Sequence, residues 1–283
     1  MLDFSQQREL SLHGEVAADV MSALAAMGLS GIVVGAFARD LHLHYGAGIP
    51  VQRGTEDIDF ALAVSNWAEF DALRKRLLAS GTFFEIEEKL HRLRHRNNML
   101  IDLVPFGSIE SEDRTIAWPP KGDVVMDVFG FQESLATAEK VLLPGNLEIL
   151  IVCLPALALL KIVAWEDRHH RFPGKDAADL NLILRNYLAV SVNQRRLWSD
   201  FIEWTESPDF DYEHSGARML GHDIRSLVNA GGLEKIDAIL STQLDEDNPG
   251  KLPQEMERRF PEQARALLQS LYIGVGMHVL EAS

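Results

Sequence analysis

The spacing of apolar and polar residues changes along the chain and predicts where helices and strands lie. Over residues 14–27 the apolar positions recur with a helical period, and Gly28 marks the end of that helix. The other elements predicted in the first half are a strand at 32–34, a helix carrying Arg39, a strand at 57–60, a helix over 67–81, strands over 83–96 and 99–104, a loop over 105–122, a strand at 123–129 and a strand pair within 139–153. This order is typical of a mixed sheet with helices on one side.

From Pro155 onward the apolar residues keep a helical period. One helix is predicted over 155–168, a second over 175–187, and several more over 193–283. We therefore predict an α+β (mixed α/β) fold, in which a small mixed sheet with flanking helices is followed by a helical C-terminal domain. The predicted boundary divides residues 1–150 from 151–283.

Three aspartates stand out within the predicted strands. Asp57 and Asp59 are two residues apart, so their side chains point to the same face of a strand. Asp102 lies in an apolar run, where a charge needs a partner. Neighbouring carboxylates repel each other unless a cation lies between them, and hard oxygen ligands suit Mg²⁺. The pattern predicts a metal site, and the turn at Gly35 and Ala36 in front of it is a candidate for binding phosphate.

Composition adds limits on the kind of protein. The chain has 283 residues, of which 47% are hydrophobic and 24% charged, as in a globular protein with a substantial core. The net charge of −15 disfavours a surface that wraps duplex nucleic acid, although a local basic stripe can still act alone. The acidic charge also suits a small cationic acceptor.

Targeting and redox signals are few. The N-terminus lacks the pattern of a secretory signal, and the most apolar stretch, 147–165, is interrupted by Glu148, Pro155 and Lys161. That stretch is better explained as a strand, a break at Pro155 and a buried helix than as a membrane span. Cys153 is the only cysteine, so no internal disulfide forms, and we expect a cytoplasmic protein without membrane partners.

Three short motifs follow one another along the chain: GAFARD at 35–40, DIDF at 57–60 and IDLV at 101–104. In this order they resemble the motifs of the DNA polymerase β superfamily of nucleotidyltransferases. A fourth pattern, Lys161 with Arg168 and KDAADL at 175–180, resembles the one that follows this core in the abortive-infection nucleotidyltransferase toxins and in a related bacterial family of predicted nucleotidyltransferases. The resemblance spans roughly 31–185 and implies a nucleotidyltransferase-like fold for the first domain.

The resemblance implies a reaction with two Mg²⁺ ions, with Mn²⁺ as an alternative. Asp57 and Asp59 would hold the ion on the nucleotide side. Asp102 would hold the second ion and help to deprotonate the acceptor. The reaction moves a nucleoside monophosphate from an NTP to a hydroxyl or phosphate and releases pyrophosphate.

The candidates for nucleotide binding are the residues of the phosphate turn and four basic side chains. They are Gly35, Ala36, Arg39, Lys161, Lys175 and Arg94. Ala36 departs from the Gly-Gly or Gly-Ser of the family, which leaves only the main chain to bind there. Arg39 has a rival role as an ion-pair partner of Asp40, Asp57 or Glu56, and Lys161 could instead extend to solvent.

The basic run at 89–96 has two readings, because the length of the following turn sets the register. A two-residue turn at Asn97 and Asn98 would place His91 and His95 on the side of Asp102, whereas another turn would place Arg92 and Arg94 there. The run could contact the triphosphate or acceptor, or it could be a charged edge strand. Asp176 and Asp179 share one face of a helix and are expected to position Lys161, Arg168 or Lys175.

Two classes of function remain at this level. The first is a nucleotidyltransferase whose toxin-like resemblance implies an RNA acceptor, such as a tRNA 3′ end, or a protein side chain. A small molecule, as in antibiotic adenylyltransferases, is the alternative acceptor. The second class is a catalytically silent protein that binds nucleotides or partners on the same fold. A toxin would also have a cognate antitoxin.

Overall fold

The structure, a computed structural model, describes residues 1–50, 57–87, 89–245 and 250–276. The chain forms two compact units. The first comprises Met1–Leu41 and Pro50–Cys153, and the second comprises His42–Ile49 and Leu154–Ser283. The functional division predicted at residue 150 stays a prediction.

A mixed sheet forms the centre of the first unit. Among the residues that the structure describes, eight strands of this sheet follow the order β1-β9-β10-β2-β3-β6-β5-β4, and a separate hairpin joins β7 to β8. The strands are β1 Leu2–Asp3, β2 Ser30–Val34, β3 Asp57–Ala63, β4 Phe83–Glu85, β5 Arg92–His95, β6 Leu100–Phe106, β7 Thr115–Trp118, β8 Val124–Asp127, β9 Glu139–Leu143 and β10 Leu147–Ile151. The predicted mixed sheet is confirmed.

Three strand pairings set the positions of the aspartates. Strand β2 is antiparallel to β3, with Val34 opposite Asp59. Strand β3 is parallel to β6, with Asp59 opposite Asp102, and β5 is antiparallel to β6, with Arg92 opposite Asp102. Alternation buries Ile58 and Phe60 on one face of β3 and leaves the aspartates on the other.

Two predicted segments differ from the structure. The strand predicted over 83–96 is divided into β4 and β5, which pair with each other in antiparallel orientation, with Phe83 opposite His95 and Glu85 opposite Leu93. The loop predicted over 105–122 contains β7, which pairs with β8 across the turn at Pro119 and Pro120. Residues 46–55, whose glycines and proline predict a loop between the helix of Arg39 and the strand of Asp57, lie partly outside the described residues.

Helices surround the strands in the first unit and make up the second. Those of the first unit are α1 Ser11–Ala25, α2 Gly35–Asp40, α3 Trp67–Ala79 and α4 Phe131–Ala136. A π-helix over Leu41–Tyr45 follows α2 in the chain, and all of it but Leu41 belongs to the second unit. Those of the second are α5 Leu154–Arg168, α6 Lys175–Asn186, α7 Ser191–Asp200, α8 Ile202–Thr205, α9 Tyr212–Leu227, α10 Ala230–Leu244, α11 Lys251–Met256 and α12 Pro261–Gly274. Helices α5, α6, α9 and α12 pack together through buried side chains such as Leu157, Leu180, Leu220 and Leu268. The helical C-terminal region is as predicted.

The apolar stretch at 147–165 forms strand β10 and then helix α5, which starts one residue before Pro155. Proline is favoured in the first turn of a helix because its missing N–H is not needed there. No helix in the part of the chain that the structure describes has the length and hydrophobicity to cross a membrane.

Candidate active site

The turn between β2 and α2 brings the backbone close to an aspartate. Helix α2 begins at Gly35, whose φ of +71° favours glycine. A Cβ atom on Gly35 would lie 1.9 Å from Oδ2 of Asp59. The Asp59 carboxylate therefore occupies the space that a side chain at position 35 would need, and Ala36 follows at the start of the helix.

One guanidinium joins the other two aspartates. Arg92 donates from Nε to Oδ1 of Asp102 at 2.6 Å and from Nη2 to Oδ2 of the same carboxylate. The same Nη2 lies 3.3 Å from Oδ2 of Asp57. All three side chains are partly exposed, at 22% for Arg92, 25% for Asp57 and 15% for Asp102, so solvent reaches the site.

Opposite charges stabilise the contacts between Arg92 and the aspartates. The hydrogen bond with Asp102 raises the pKa of Arg92 above its ordinary value, against the effect of partial burial. The negative charges of Asp102, Asp57 and Asp59 act in the same direction. Nearby, burial lowers the pKa of His91, although the charge of Asp102 opposes this. Arg92 is thus the counter-ion of the three aspartates.

The positions of the three aspartates bear on the metal site that the sequence predicts. Three carboxylates offer the oxygen ligands that Mg²⁺ prefers, so the donor set fits in its chemistry. Within the described ranges, however, no group of three His, Cys, Asp or Glu side chains is arranged to hold a metal ion. The guanidinium of Arg92 contacts the carboxylates of both Asp57 and Asp102.

The turn after β5 decides which basic side chains face Asp102. The N–H of His95 donates to the carbonyl of Met99, so three residues, Arg96 to Asn98, form the turn, and Asn98 has a φ of +71°. This is one residue longer than a two-residue turn, so Arg92 and not His91 shares the face of Asp102. Of the two registers left open by the sequence, the one with Arg92 and Arg94 on this face is present, and Arg92, not the candidate Arg94, donates hydrogen bonds to Asp102.

The remaining basic candidates of the first unit contact other groups. Arg94 donates to Oδ1 of Asn98 at 3.1 Å, and its guanidinium lies 5.4 Å from the ring centre of Phe84. Arg39 is buried and donates from Nε and Nη2 to Oδ1 of Asp40, at 2.9 and 2.6 Å. The rival ion pair expected for Arg39 is therefore present with Asp40, while Glu56 lies outside the described residues. Nucleotide binding by Arg39 and Arg94 stays a prediction.

A buried ion-pair group occupies the second unit. Lys161, only 6% exposed, contacts Oδ2 of Asp179 at 2.5 Å and Oδ1 of Asp176 at 3.1 Å. Arg168 donates from Nε and Nη2 to Asp176, both at 2.8 Å. The expectation that Asp176 and Asp179 position Lys161 and Arg168 agrees with these contacts, because residues three apart on α6 face the same side.

Opposing effects set the pKa values in this group. Burial acts to lower the pKa of Lys161, but the charges of Asp179 and Asp176 outweigh it and raise the pKa. Burial acts to raise the pKa of Asp176, but the hydrogen bond from Arg168 and the charge of Lys161 bring it down to about 2. Lys161 and Asp176 are therefore both charged at neutral pH.

The sequence model of one protein family, described as nucleotidyl transferase AbiEii toxin of a type IV toxin–antitoxin system, matches residues 24–269. The chain belongs to this family. The predicted resemblance to the abortive-infection toxins is confirmed, and the protein is a nucleotidyltransferase.

Comparisons with curated proteins and with solved structures add no further argument for the family assignment. No curated protein sequence matches the chain. A solution structure of the antibiotic-resistance factor ANT(2'')-Ia is similar at 14% identity with a TM-score of 0.38, covering 69% of this chain and 96% of that one. A crystal structure of ANT(2")-Ia in complex with adenylyl-2"-tobramycin has the same identity and TM-score, covering 68% and 99%.

Lys175, the remaining candidate for nucleotide binding, is exposed at the first position of α6. The start of this helix is fixed by Glu255, a residue that the sequence did not single out. Its Oε2 accepts hydrogen bonds from Nε1 of Trp165 and from the N–H of Gly174, both at 2.9 Å. These partners are 80 to 90 residues away in sequence, so only the fold brings them together. Nucleotide binding by Lys161 and Lys175 stays a prediction.

Proposed function

We propose that this nucleotidyltransferase is Mg²⁺-dependent and transfers a nucleoside monophosphate from an NTP to RNA. The observation that carries the proposal is the convergence of Asp57 and Asp102 on one cationic group, Arg92, with Asp59 against the Gly35 turn. Such a set of carboxylates, open to solvent, suits a reaction in which phosphate charge must be neutralised.

In the proposed reaction, the acceptor hydroxyl oxygen forms a bond with the α-phosphorus of the NTP. The bond from that phosphorus to the bridging oxygen breaks, and pyrophosphate leaves. Asp102 takes the proton of the attacking hydroxyl, and the backbone at Gly35 and Ala36 binds phosphate oxygens. Divalent ions held by Asp57, Asp59 and Asp102 would neutralise the phosphates and lower the pKa of the acceptor hydroxyl.

The RNA acceptor is supported by a basic patch on the second unit. The patch consists of exposed cations and aromatic rings from two segments: Arg171, Phe172, Lys175, Arg258, Arg259 and Phe260. A Cβ atom on Gly174 would lie 3.9 Å from Nη2 of Arg258, so the segments are adjacent. Phe172 and Phe260 are 55% and 50% exposed. Cations beside exposed rings are typical of surfaces that bind single-stranded nucleic acid.

The catalytic part of the proposal is tested by transfer of α-labelled NTPs to total RNA, with Mg²⁺ or with EDTA. Asp102→Asn should reduce the rate at least about a hundredfold, because it removes the proton acceptor. The control is Asp71→Asn, a half-exposed aspartate of α3 paired with Lys75 at 2.7 Å, which should keep the wild-type rate. Equal rates for wild type and Asp102→Asn, or full activity in EDTA, would contradict the proposal.

The acceptor is identified by digesting the labelled product with nuclease or protease. If the acceptor is RNA, nuclease should remove the label and protease should not. A labelled protein or small molecule would refute the RNA acceptor. NTP binding without any labelled product would support the catalytically silent alternative.

The basic patch is tested by Arg258→Ala/Arg259→Ala, which should raise KM for RNA and leave kcat nearly unchanged. Each lost phosphate contact should also reduce the slope of log affinity against log salt by about 0.7. The control, Arg8→Ala/Arg195→Ala, removes two exposed arginines outside the patch. An unchanged KM and salt slope would exclude the patch from RNA binding.

Membership of the toxin family also leads us to propose a cognate antitoxin. Expression of the wild-type chain should arrest growth, and co-expression of the antitoxin gene should restore it. Asp102→Asn should be harmless without the antitoxin. Growth arrest by Asp102→Asn equal to that of wild type would separate toxicity from nucleotidyl transfer.

A further inference from the structure

A single arginine neutralises the aspartates proposed to hold divalent ions. Both oxygens of Asp102 accept hydrogen bonds from Arg92, and Nη2 of the same guanidinium contacts Asp57. The charge of Asp59 also acts on Arg92. The strand register makes this contact specific, because Arg92 is the residue of β5 directly opposite Asp102.

Physical reasoning explains why the protein needs a cation here. Three partly buried carboxylates on neighbouring strands repel one another, and the repulsion falls when a positive charge lies among them. A guanidinium suits this position because its planar fork binds both oxygens of a carboxylate at once. A divalent ion bound by Asp57 and Asp102 would need the same oxygens and would be repelled by the guanidinium.

We propose that Arg92 is a built-in competitor of the divalent ion: its guanidinium holds Asp57 and Asp102 together in the metal-free protein and must be displaced before these carboxylates bind metal. This inference rests on the proposed divalent-ion site. Arg92 is a positioning residue in this proposal, since it keeps the aspartates in place on β3 and β6 until the ion arrives. It also lowers the affinity for the ion in the absence of nucleotide.

The direct test is the affinity for Mn²⁺ without nucleotide, measured from the electron paramagnetic resonance signal of the free ion. Arg92→Ala should bind Mn²⁺ at least about fivefold more tightly than wild type, the lower end of ordinary coupling between two sites. Its melting temperature in EDTA should fall, and Mn²⁺ should restore it. The control is Arg96→Ala, which removes an arginine of the same hairpin that pairs with Glu15 at 2.6 Å. This control should change neither the Mn²⁺ affinity nor the recovery by Mn²⁺.

A second variant separates competition for the carboxylates from a simple change of charge, and it serves if Arg92→Ala does not fold. Arg92→Lys keeps the positive charge but cannot bind both oxygens of Asp102 in the same way. Its Mn²⁺ affinity should still exceed that of wild type. An equal or weaker affinity in the folded Arg92 variants would overturn the proposal.

The result also distinguishes this inference from the proposed function. If wild type and variants bind Mn²⁺ equally, Arg92 is not a competitor, but the divalent-ion site stands. If none of the proteins binds Mn²⁺ with or without NTP, both the site and the inference fail.

Discussion

Replacing Gly35 by alanine tests whether the close approach of the turn at Gly35 to Asp59 is required. The added Cβ would lie 1.9 Å from Oδ2 and 2.8 Å from Cγ of Asp59. Both distances are far below van der Waals contact, so the carboxylate has to move. The backbone at position 35 also has a φ of +71°, which an alanine adopts only with strain.

The expected loss of folding stability in Gly35→Ala is the sum of these two effects. The left-handed backbone costs about 1–2 kcal/mol for a residue with a Cβ. Displacing a packed side chain costs a further ~1–3 kcal/mol. Gly28 provides a matched control, because its φ is +67° but nothing lies within 4 Å of an added Cβ. Gly28→Ala should therefore lose only the backbone contribution, and the difference between the variants measures the contact with Asp59.

Both variants are compared by urea denaturation and by the rate of nucleotidyl transfer. Gly35→Ala should have the lower free energy of unfolding and should lose about a hundredfold in rate, since a shift of about 1 Å in a reacting group has effects of that order. Gly28→Ala should keep the wild-type rate. If Gly35→Ala and Gly28→Ala were equally stable and equally active, the reasoning that places Asp59 in the site through Gly35 would be wrong.

Further predictions concern the buried and partly buried ion pairs of the second unit. Asp176→Asn should lower the free energy of unfolding by about 3 kcal/mol, because Lys161 loses a charged partner while buried; a change near zero in urea denaturation would contradict this. The pKa of Asp176 is about 2 against 3.8 for the unconstrained group, so the unfolded chain binds more protons between these values. Wild-type stability should therefore fall as pH decreases from about 4 to 2, by up to ~2 kcal/mol from this group, and titration of Asp176→Asn should lack that contribution. Asp223→Ala should cost about 1–3 kcal/mol, because Tyr187 donates to Asp223 at 2.5 Å and Arg196 at 2.7 Å; unchanged thermal unfolding would show that water replaces the carboxylate.

Local pattern was sufficient for several features. The two-residue period of strands placed Asp57 and Asp59 on one face, and the three-residue spacing on a helix placed Asp176 and Asp179 together. The end of α1 near Gly28 and the helical second half also followed from local signals. Such features depend on residues close in sequence, so the pattern of the chain is enough to predict them.

Other features depend on contacts between distant segments. Glu255 fixes the start of α6 from a position about 80 residues away, and no local signal marks it. The division of 83–96 into β4 and β5 likewise depends on strand pairing and not on the charges of the run. The start of α6 and the bounds of β4 and β5 therefore depend on which distant residues the folded chain brings into contact.

The sequence by itself determined the family, the fold class and the three aspartates on two strands. Only the tertiary structure decided which cation those aspartates share. The physical reason is the length of one turn: a three-residue turn after β5 shifts the register by one position, and in a strand such a shift exchanges the two faces. Arg92 therefore meets Asp102, where a turn shorter by one residue would have turned His91 and His95 to that face.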